Sequence, residues 1–228
     1  MDLLDFLAAK WLPLLVSAVA AYLLGSFNPA ILVGRYFAKQ DIRDMGSGNA
    51  GATNVLRTLG PLPAIITTVG DLAKSAIAVV LSRLFMGIGY QSEEVWIIGM
   101  YVAGLFCILG HLFPVYYHFR GGKGVMATLG MLLVVDWRVA LIALAGFIVV
   151  VAITRYVSLG SMIAGVVMTV ATFVITHLVD DRSLSMSLVC TLFPALITVI
   201  VVIKHRGNIR RLIDGTESKL SFGSKKEV

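Results

Sequence analysis

The sequence has 228 residues, of which 58% are hydrophobic and only 14% are charged, and its formal net charge is +6. This composition excludes an ordinary soluble domain, because a water-facing surface needs more charged side chains, and the mean hydropathy of +0.89 indicates a polytopic membrane protein. A nucleic-acid-binding protein is also disfavoured, since the basic residues lie in short segments between apolar runs, where membrane topology explains them.

Long apolar segments predict the membrane spans. Residues 11–34 contain no Asp, Glu, Lys, Arg or His, and as one bent or tilted helix they would be about 36 Å long, enough for a hydrocarbon core of roughly 30 Å. Further apolar segments cover residues 61–82, 95–119, 139–154, 156–179 and 183–203. Residues 124–135 would give a helix of about 18 Å, which we count as a seventh crossing because the charge distribution then fits one orientation. The predicted fold is an all-α membrane bundle of about seven helices, in a single domain over residues 1–228.

The positive charges predict the orientation of the chain. With seven crossings, 14 Lys and Arg residues fall on one side of the membrane, and four fall on the other. Positive residues accumulate in cytoplasmic loops. We therefore expect the N-terminus outside, the C-terminus in the cytoplasm and every polar motif on the cytoplasmic side.

One apolar segment contains two charged residues. Asp71 and Lys74 are three residues apart in the segment 61–82, so they are neighbours on one helix face. Charged groups in a membrane are unfavourable unless they are paired or functional. The favoured interpretation is an internal ion pair with a structural role, and the alternative is a pair that supports a nearby anion site.

The first polar motif, GSGNAGATNVLR at residues 46–57, lies between two predicted spans. Its glycines permit positive φ and close approach of the backbone, so successive amides can converge on an anion. Thr53 or Asn54 would cap a helix that runs through Arg57. Phosphate binding is therefore favoured over a flexible loop. The side chains that would serve it are Ser47, Asn49, Thr53, Asn54 and Arg57.

The second motif, RGGKG, directly precedes an apolar helix that we predict to begin near Val125. Its amides would be free donors at a helix N-terminus, with its lysine beside them. A Walker A loop is excluded, because Tyr117 stands where that motif requires glycine and Gly124 where it requires Ser or Thr. We expect a small phosphate ligand here, and the alternative is a lysine that serves topology only. The residues concerned are Gly121, Gly122, Lys123 and Gly124.

The basic tail contains a third candidate group. His205 and Asn208 are three residues apart and would share one face of a helix that leaves the membrane, with Glu217 nearby in sequence. A lone membrane histidine is usually structural, and we keep that interpretation for His111 and His177.

Residues 155–162, RYVSLGSM, form another helix junction on the predicted cytoplasmic side. Its Arg155, Ser158 and Ser161 are a weak signal alone, and Ser161 is taken as a candidate for substrate binding. Carboxylates are scarce beside the motifs, so we expect no metal and no cofactor.

Three segments resemble the cytoplasmic motifs of the bacterial acyl-phosphate:glycerol-3-phosphate acyltransferases, the PlsY type: GSGNAGATNVLR, GHLFPVYYHFRGGKG and KHRGNIRRLIDGTESK. The resemblance covers nearly the whole chain. It implies transfer of a fatty acyl group from a long-chain acyl phosphate to the 1-hydroxyl of sn-glycerol 3-phosphate, which gives lysophosphatidic acid and phosphate, the first step of phospholipid synthesis. It also implies a multi-pass enzyme of the bacterial inner membrane with a cytoplasmic active site, and we expect a monomer surrounded by membrane lipid.

The resemblance also implies residue roles. Ser47 and Arg57 would be important for activity, the glycine motif would bind glycerol 3-phosphate, His205 and Asn208 would serve activity, and Glu217 would maintain integrity. From the chemistry, Ser47 could bind a phosphate or form an acyl-enzyme, and phosphate binding is favoured. The general base could be His205 or a phosphate oxygen of the substrate.

Three other functions are alternatives to this one. A coenzyme A-dependent acyltransferase would show a His-x4-Asp pair, and none of the four histidines has Asp five positions later. A transporter would place its anion site near the midplane, whereas these donors fall at one predicted surface. A structural membrane protein would tolerate Gly122→Ala and Ser47→Ala.

Overall fold

The computed structural model describes residues 3–89 and 92–220. Every regular element in these two ranges is helical, and six helices are long and apolar enough to cross a membrane. The predicted all-α membrane fold is therefore confirmed. The chain forms two compact units, Met1–Trp137 and Arg138–Val228, and the single-domain assignment over residues 1–228 stays a prediction.

The first unit contains three long helices, two short helices beside the polar loops, and one apolar helix of 11 residues. Two single 3-10 turns, Ile42–Asp44 and Val115–Tyr117, lie in its loops. In chain order the helices are α1 Leu3–Ser26, α2 Pro29–Phe37, α3 Ala52–Leu59, α4 Pro61–Gly89, α5 Glu93–Leu112 and α6 Val125–Val135.

The predicted first span consists of two helices. The break falls between Ser26 and Pro29, because proline lacks the amide hydrogen that a continuous helix would use. Asn28 is the N-cap of α2, and its side-chain oxygen accepts a hydrogen bond from the amide of Ile31 at 3.3 Å. The span is therefore bent at its polar end, as the sequence interpretation allowed.

Glycines allow the helices of the first unit to approach closely. A Cβ atom on Gly25 of α1 would collide with the carbonyl group of Cys107 in α5, and one on Gly110 of α5 would collide with the carbonyl of Tyr22. In the same way, Gly130 of α6 lies against the backbone of Leu72 in α4. Small residues at helix contacts are the usual means of tight packing in membranes.

The predicted seventh crossing is a separate helix, α6. With 11 residues it is about 16 Å long, roughly half of a hydrocarbon core. Its existence and its start at Val125 agree with the sequence prediction. The crossing itself, and the orientation of the termini that depends on it, stay predictions.

The second unit contains three long helices and a short basic helix near the end of the described chain. They are α7 Trp137–Thr154, α8 Val157–Val174, α9 Leu184–Lys204 and α10 Arg206–Ile213, and a π-helical turn, Ile175–Val179, extends α8. The hydroxyl of Thr198 in α9 donates a hydrogen bond to the Gly165 carbonyl of α8 at 2.8 Å, which joins these two helices inside the unit.

Candidate active site

The first motif folds as a tight loop followed by α3, and Asn54 organises it. Asn54 is only 1% exposed. Its side-chain oxygen accepts a hydrogen bond from the Ser47 amide at 2.9 Å, and its amide nitrogen donates to the carbonyls of Ile42 at 3.1 Å and Met45 at 3.0 Å. The prediction that Thr53 or Asn54 caps this helix is wrong, because α3 begins at Ala52 and Gly51 is the N-cap.

The loop geometry accounts for the glycine at its start. Gly46 has φ +54°, a conformation that favours glycine, and a Cβ atom there would collide with the Asn54 side chain. The loop therefore exposes Ser47 at its surface, while Asn49 and Thr53 are half-buried and Arg57 lies exposed on α3. Binding of substrate by Asn49, Thr53 and Asn54 stays a prediction, and Asn54 has a clear structural role in addition.

Arg43 links the first loop to the segment before the second motif. One guanidinium nitrogen donates to the carbonyl oxygens of Tyr117 at 2.9 Å and Arg120 at 3.0 Å, while the others bond to Asp41 at 2.9 and 2.8 Å. The hydrogen bond from Arg43 lowers the pKa of Asp41, so this carboxylate is charged at neutral pH. From the sequence alone, Arg43 is one of the positive residues that predict the topology.

The second motif is a turn between α5 and α6. Gly124 has φ +82° and is the N-cap of α6, which confirms that the glycine cluster leads directly into this helix. The prediction that all of its amides are free donors is wrong for two of them. The amide of Gly121 donates to the Leu112 carbonyl and that of Gly122 to the His111 carbonyl, each at 3.2 Å. These two bonds close the turn and leave Lys123, half-buried, at its end.

The first and second motifs meet within the first unit. Gly122 lies so close to the carbonyl oxygen of Ala50 and to the His111 imidazole that a Cβ atom would collide with both. The loop that carries Ser47 and the turn that carries Lys123 are therefore neighbours. Glycine at position 122 is required by the small space between the two segments.

Asp71 and Lys74 form the internal ion pair that the sequence favoured. The carboxylate Oδ1 lies 2.9 Å from Lys74 Nζ, and both side chains are buried in α4. His111 of α5 completes a cluster, with Nδ1 at 2.8 Å from Nζ and 3.1 Å from Oδ1. The sequence signal for His111 was a single histidine within an apolar run of α5.

Glu217 is the centre of the polar cluster in the second unit. Its Oε1 accepts hydrogen bonds from the Ser158 hydroxyl at 2.7 Å and from the Asn208 amide at 2.6 Å, and its Oε2 accepts one from Arg211 Nε at 2.7 Å. Burial alone would raise the pKa of Glu217, but these three hydrogen bonds outweigh burial and lower the pKa below its ordinary value of 4.5. The carboxylate is therefore held charged and fixed.

The tail and the junction between α7 and α8 lie together within the second unit. The Leu220 amide donates to the Arg155 carbonyl at 2.8 Å, and the Lys219 ammonium lies over the Tyr156 ring. Ser161 is the predicted substrate-binding residue of this junction. The serine that bonds to the tail, however, is Ser158. The Ser161 hydroxyl donates to the Val157 carbonyl within α8, and its binding role stays a prediction.

His205 occupies the junction between α9 and α10 and is only 2% exposed. Its Nδ1 lies 2.8 Å from the Val201 carbonyl oxygen, which can only accept a hydrogen bond. Nδ1 therefore carries a proton, and in the neutral ring the lone pair is on Nε2. This tautomer leaves Nε2 as the atom that could accept a proton in a reaction.

The candidate residues thus fall into two groups. The first and second motifs lie in the first unit, and the third motif lies in the second unit. Convergence of all three at one pocket stays a prediction. In residues 3–89 and 92–220, no group of three or more His, Cys, Asp and Glu residues could hold a metal ion.

Comparison with known proteins assigns the family. Residues 15–215 match the family model described as glycerol-3-phosphate acyltransferase. A protein of that name from Clostridioides difficile is 41% identical over 214 residues, covering 93% of this chain and 97% of the relative. Another, from Thermoanaerobacter pseudethanolicus, is 39% identical over 213 residues, covering 93% of this chain and 98% of the relative.

Solved structures agree with the family assignment. The glycerol 3-phosphate form of PlsY, an integral membrane glycerol 3-phosphate acyltransferase, is similar to this chain with a TM-score of 0.77 and 30% identity, over 91% of this chain and 96% of that one. The form of the same enzyme with lysophosphatidic acid gives a TM-score of 0.75. Together with the apolar helices and the paired glycine motifs, these matches show that this chain belongs to the glycerol-3-phosphate acyltransferase family and is a membrane acyltransferase.

Proposed function

We propose that this enzyme transfers a long-chain fatty acyl group from an acyl phosphate to the 1-hydroxyl of sn-glycerol 3-phosphate. The products are lysophosphatidic acid and inorganic phosphate. The PlsY structures with glycerol 3-phosphate and with lysophosphatidic acid support the acceptor and the product. The acyl phosphate donor rests on the three sequence motifs and on the absence of a His-x4-Asp pair.

The contact between Ala50 and Gly122 is the observation that carries this proposal. Both substrates carry a phosphate, so the reaction needs two anion-binding groups close together at the membrane surface. The contact places the Ser47 loop beside the Lys123 turn, and Arg57 follows on α3. Hydroxyl, ammonium and guanidinium groups are donors suited to phosphate oxygens.

In the proposed reaction, the 1-hydroxyl oxygen attacks the acyl carbonyl carbon. A new ester bond forms, the bond between that carbon and the phosphate oxygen breaks, and the phosphate departs with the bonding electrons. Arg57 and Lys123 orient the phosphates and stabilise the negative charge that grows on the leaving group. Because an acyl phosphate is already activated, Ser47 serves as a hydrogen-bond donor to phosphate and forms no covalent intermediate.

The proton of the 1-hydroxyl goes to His205 Nε2. The hydrogen bond from Nδ1 to the Val201 carbonyl supports this role, because it fixes the tautomer that has its lone pair on Nε2. Asn208 lies on α10, directly after His205, and its amide donates to the Glu217 carboxylate of the tail at 2.6 Å, so its proposed role is to support His205. The alternative acceptor of the proton is a phosphate oxygen of the substrate.

The reaction is tested with purified protein in lipid and labelled glycerol 3-phosphate. We expect lysophosphatidic acid and an equal amount of phosphate with palmitoyl phosphate, and no product with palmitoyl-CoA. Product with palmitoyl-CoA alone would contradict the donor, and no product with either donor would contradict the reaction. Ser47→Ala with an unchanged melting temperature serves as the inactive control.

The proposed location is the cytoplasmic membrane of a bacterium, as a monomer, with the two glycine motifs facing the cytoplasm. Support comes from the excess of Lys and Arg on that side of the predicted topology. Ser47→Cys, in a variant without Cys107 and Cys190, provides a test, because Ser47 is exposed on the loop and cysteine is close to serine in size. We expect labelling by a membrane-impermeant maleimide in inverted vesicles and no labelling in intact cells.

A further inference from the structure

Lys74 has three close polar neighbours inside the first unit. Its ammonium group has three N–H donors, and the structure provides three acceptors within 3.0 Å. They are Asp71 Oδ1 at 2.9 Å, His111 Nδ1 at 2.8 Å and the Phe27 carbonyl oxygen at 3.0 Å. Nζ is hydrogen-bonded to the Phe27 carbonyl and to His111 Nδ1, and the Asp71 carboxylate balances its charge as an ion pair, which stabilises the ammonium group away from water.

This arrangement sets the proton position on His111. His111 Nδ1 lies 2.8 Å from Lys74 Nζ, which can only donate, and 3.1 Å from Asp71 Oδ1, which can only accept. We assign Nδ1 as an acceptor, because the contact to the ammonium is the shorter one and the opposite end of the ring lies near the Ala50 carbonyl oxygen, which needs a donor. The proton of the neutral imidazole then lies on Nε2, at the opposite end of the ring. With this assignment, the cluster of Asp71, Lys74 and His111 holds the ring in one tautomer and one orientation.

The Nε2 end of the ring faces the contact between the two glycine motifs. A Cβ atom on Gly122 would collide with His111 Nε2 and with the Ala50 carbonyl oxygen, so both atoms lie at the same point of the turn. The His111 carbonyl also accepts the Gly122 amide at 3.2 Å. His111 thus contacts the turn with both its backbone and its side chain.

We propose that the buried cluster of Asp71, Lys74 and His111 is a positioning unit for glycerol 3-phosphate binding, with His111 Nε2–H supporting the Ala50–Gly122 contact. The ring sets the spacing between the Ser47 loop and the Lys123 turn, so that both reach the same phosphate. His111 acts through these two segments and is a positioning residue. The inference rests on the phosphate-binding roles given under Proposed function.

Two substitutions of His111 separate positioning from simple packing. An asparagine amide lies where Nδ1 is, so His111→Asn keeps an acceptor for Lys74 and removes the group at Nε2. A glutamine amide reaches the Nε2 position, so His111→Gln keeps a donor toward Ala50 and removes the acceptor for Lys74. If His111 positions the two segments, binding depends on the group at Nε2, which His111→Asn removes. Stability depends on the acceptor for Lys74, which His111→Gln removes.

The readouts are the Kd of glycerol 3-phosphate by calorimetry and the melting temperature, both in detergent. We expect His111→Asn to weaken binding about tenfold with a melting temperature close to the wild type, and His111→Gln to bind nearly as well but to melt earlier. Equal binding by both variants, or weaker binding by Gln than by Asn, would overturn the proposal. His177→Asn is the matched control, since its ring contacts the Arg182 carbonyl in the second unit, and should change neither quantity.

A measurement on the unaltered protein tests the tautomer even where a variant does not fold. The chain has four histidines, so 15N-labelled histidine gives few signals, which are assigned by replacing the other three one at a time. We expect His111 to be protonated on Nε2 only. Protonation on Nδ1 alone would overturn the proposal. Calorimetry needs no acyl donor, so failure of the enzyme to use acyl phosphate contradicts the proposed donor and leaves this test intact.

Discussion

The side-chain oxygen of Asn54 accepts the amide hydrogen of Ser47 at 2.9 Å, which ties the exposed serine to a buried residue of the following helix. The same side chain bonds to two more carbonyls of the loop, those of Ile42 and Met45. A single amide therefore determines the shape of the first motif, and the position of Ser47 depends on it.

Replacement of Asn54 tests this dependence. Asn54→Asp keeps the acceptor for Ser47 but loses both donors and places a carboxylate against two carbonyls, while Asn54→Ala loses all three bonds. Because an unsatisfied buried polar group costs about 1–3 kcal/mol, we expect both variants to lower kcat/KM at least tenfold and to reduce the melting temperature. Steady-state kinetics and a thermal melt check this.

Thr58→Val is the control for Asn54. The Thr58 hydroxyl lies on the same helix and donates to the Asn54 carbonyl at 2.9 Å, but that carbonyl belongs to the helix backbone and needs no second donor. We expect near wild-type activity. Wild-type kinetics in Asn54→Asp would contradict this prediction, because the bond to the Ser47 amide would then be enough to organise the loop without the bonds to Ile42 and Met45.

Gly122→Ala tests the contact between the motifs. The added methyl group has no space, because the Ala50 carbonyl oxygen and the His111 ring occupy it. We expect the two segments to separate, so that the KM for glycerol 3-phosphate rises by tenfold or more while the KM for the acyl donor changes less. Gly87→Ala is the matched control, since a Cβ atom at Gly87 meets nothing within 4 Å and alanine favours a helix by about 1 kcal/mol. Unchanged kinetics in Gly122→Ala would argue against the contact.

Local properties of the sequence predicted much of the fold. The spans follow from the hydropathy of continuous segments, and the start of α6 follows from the glycine cluster directly before Val125. Both are decided within a few residues along the chain. The Asp71–Lys74 pair was predicted for the same reason, since a spacing of three places both residues on one helix face.

The roles of Arg43 and His111 depend on contacts that sequence spacing does not reveal. Arg43 bonds to carbonyls more than 70 positions away, and His111 of α5 contacts Lys74 of α4. Asn54 was wrongly predicted as a possible helix cap, because its partners are decided by the fold of the whole loop. The bond between Ser158 and Glu217 likewise could not be predicted, because the two residues lie 59 positions apart in the sequence.

The hydrogen bonds to Glu217 predict a dependence of stability on pH. Since folding lowers the pKa of Glu217 below 4.5, the carboxylate stabilises the folded protein above that pH, and this stabilisation is lost as the pH falls through the lower folded value. Glu217→Gln should therefore melt earlier than the wild type at pH 7, and the difference should shrink below pH 4.5. Thermal melts in detergent from pH 7 downwards check this.

Asp214→Asn is the matched control for Glu217. Asp214 lies on the same tail, but its ion pair with Arg210 is exposed and 3.8 Å long, and exposed pairs contribute little to stability. We expect the melting temperature of Asp214→Asn to equal that of the wild type both at pH 7 and below pH 4.5. A constant difference between Glu217→Gln and the wild type over the whole range would show that the glutamate acts by packing and not by its charge.

The identity of the general base is tested at His205. Asparagine places its amide near the position of Nδ1, so His205→Asn can keep the bond to the Val201 carbonyl while it removes the lone pair of Nε2. If His205 takes the proton, kcat should fall about 10² to 10⁴-fold with little change in the KM for glycerol 3-phosphate, because general base catalysis contributes that much. The acidic limb of the pH profile of kcat should disappear as well. A loss of less than about tenfold, with the acidic limb intact, would assign the proton to a phosphate oxygen of the substrate. His205 would then have only a structural role at the α9–α10 junction.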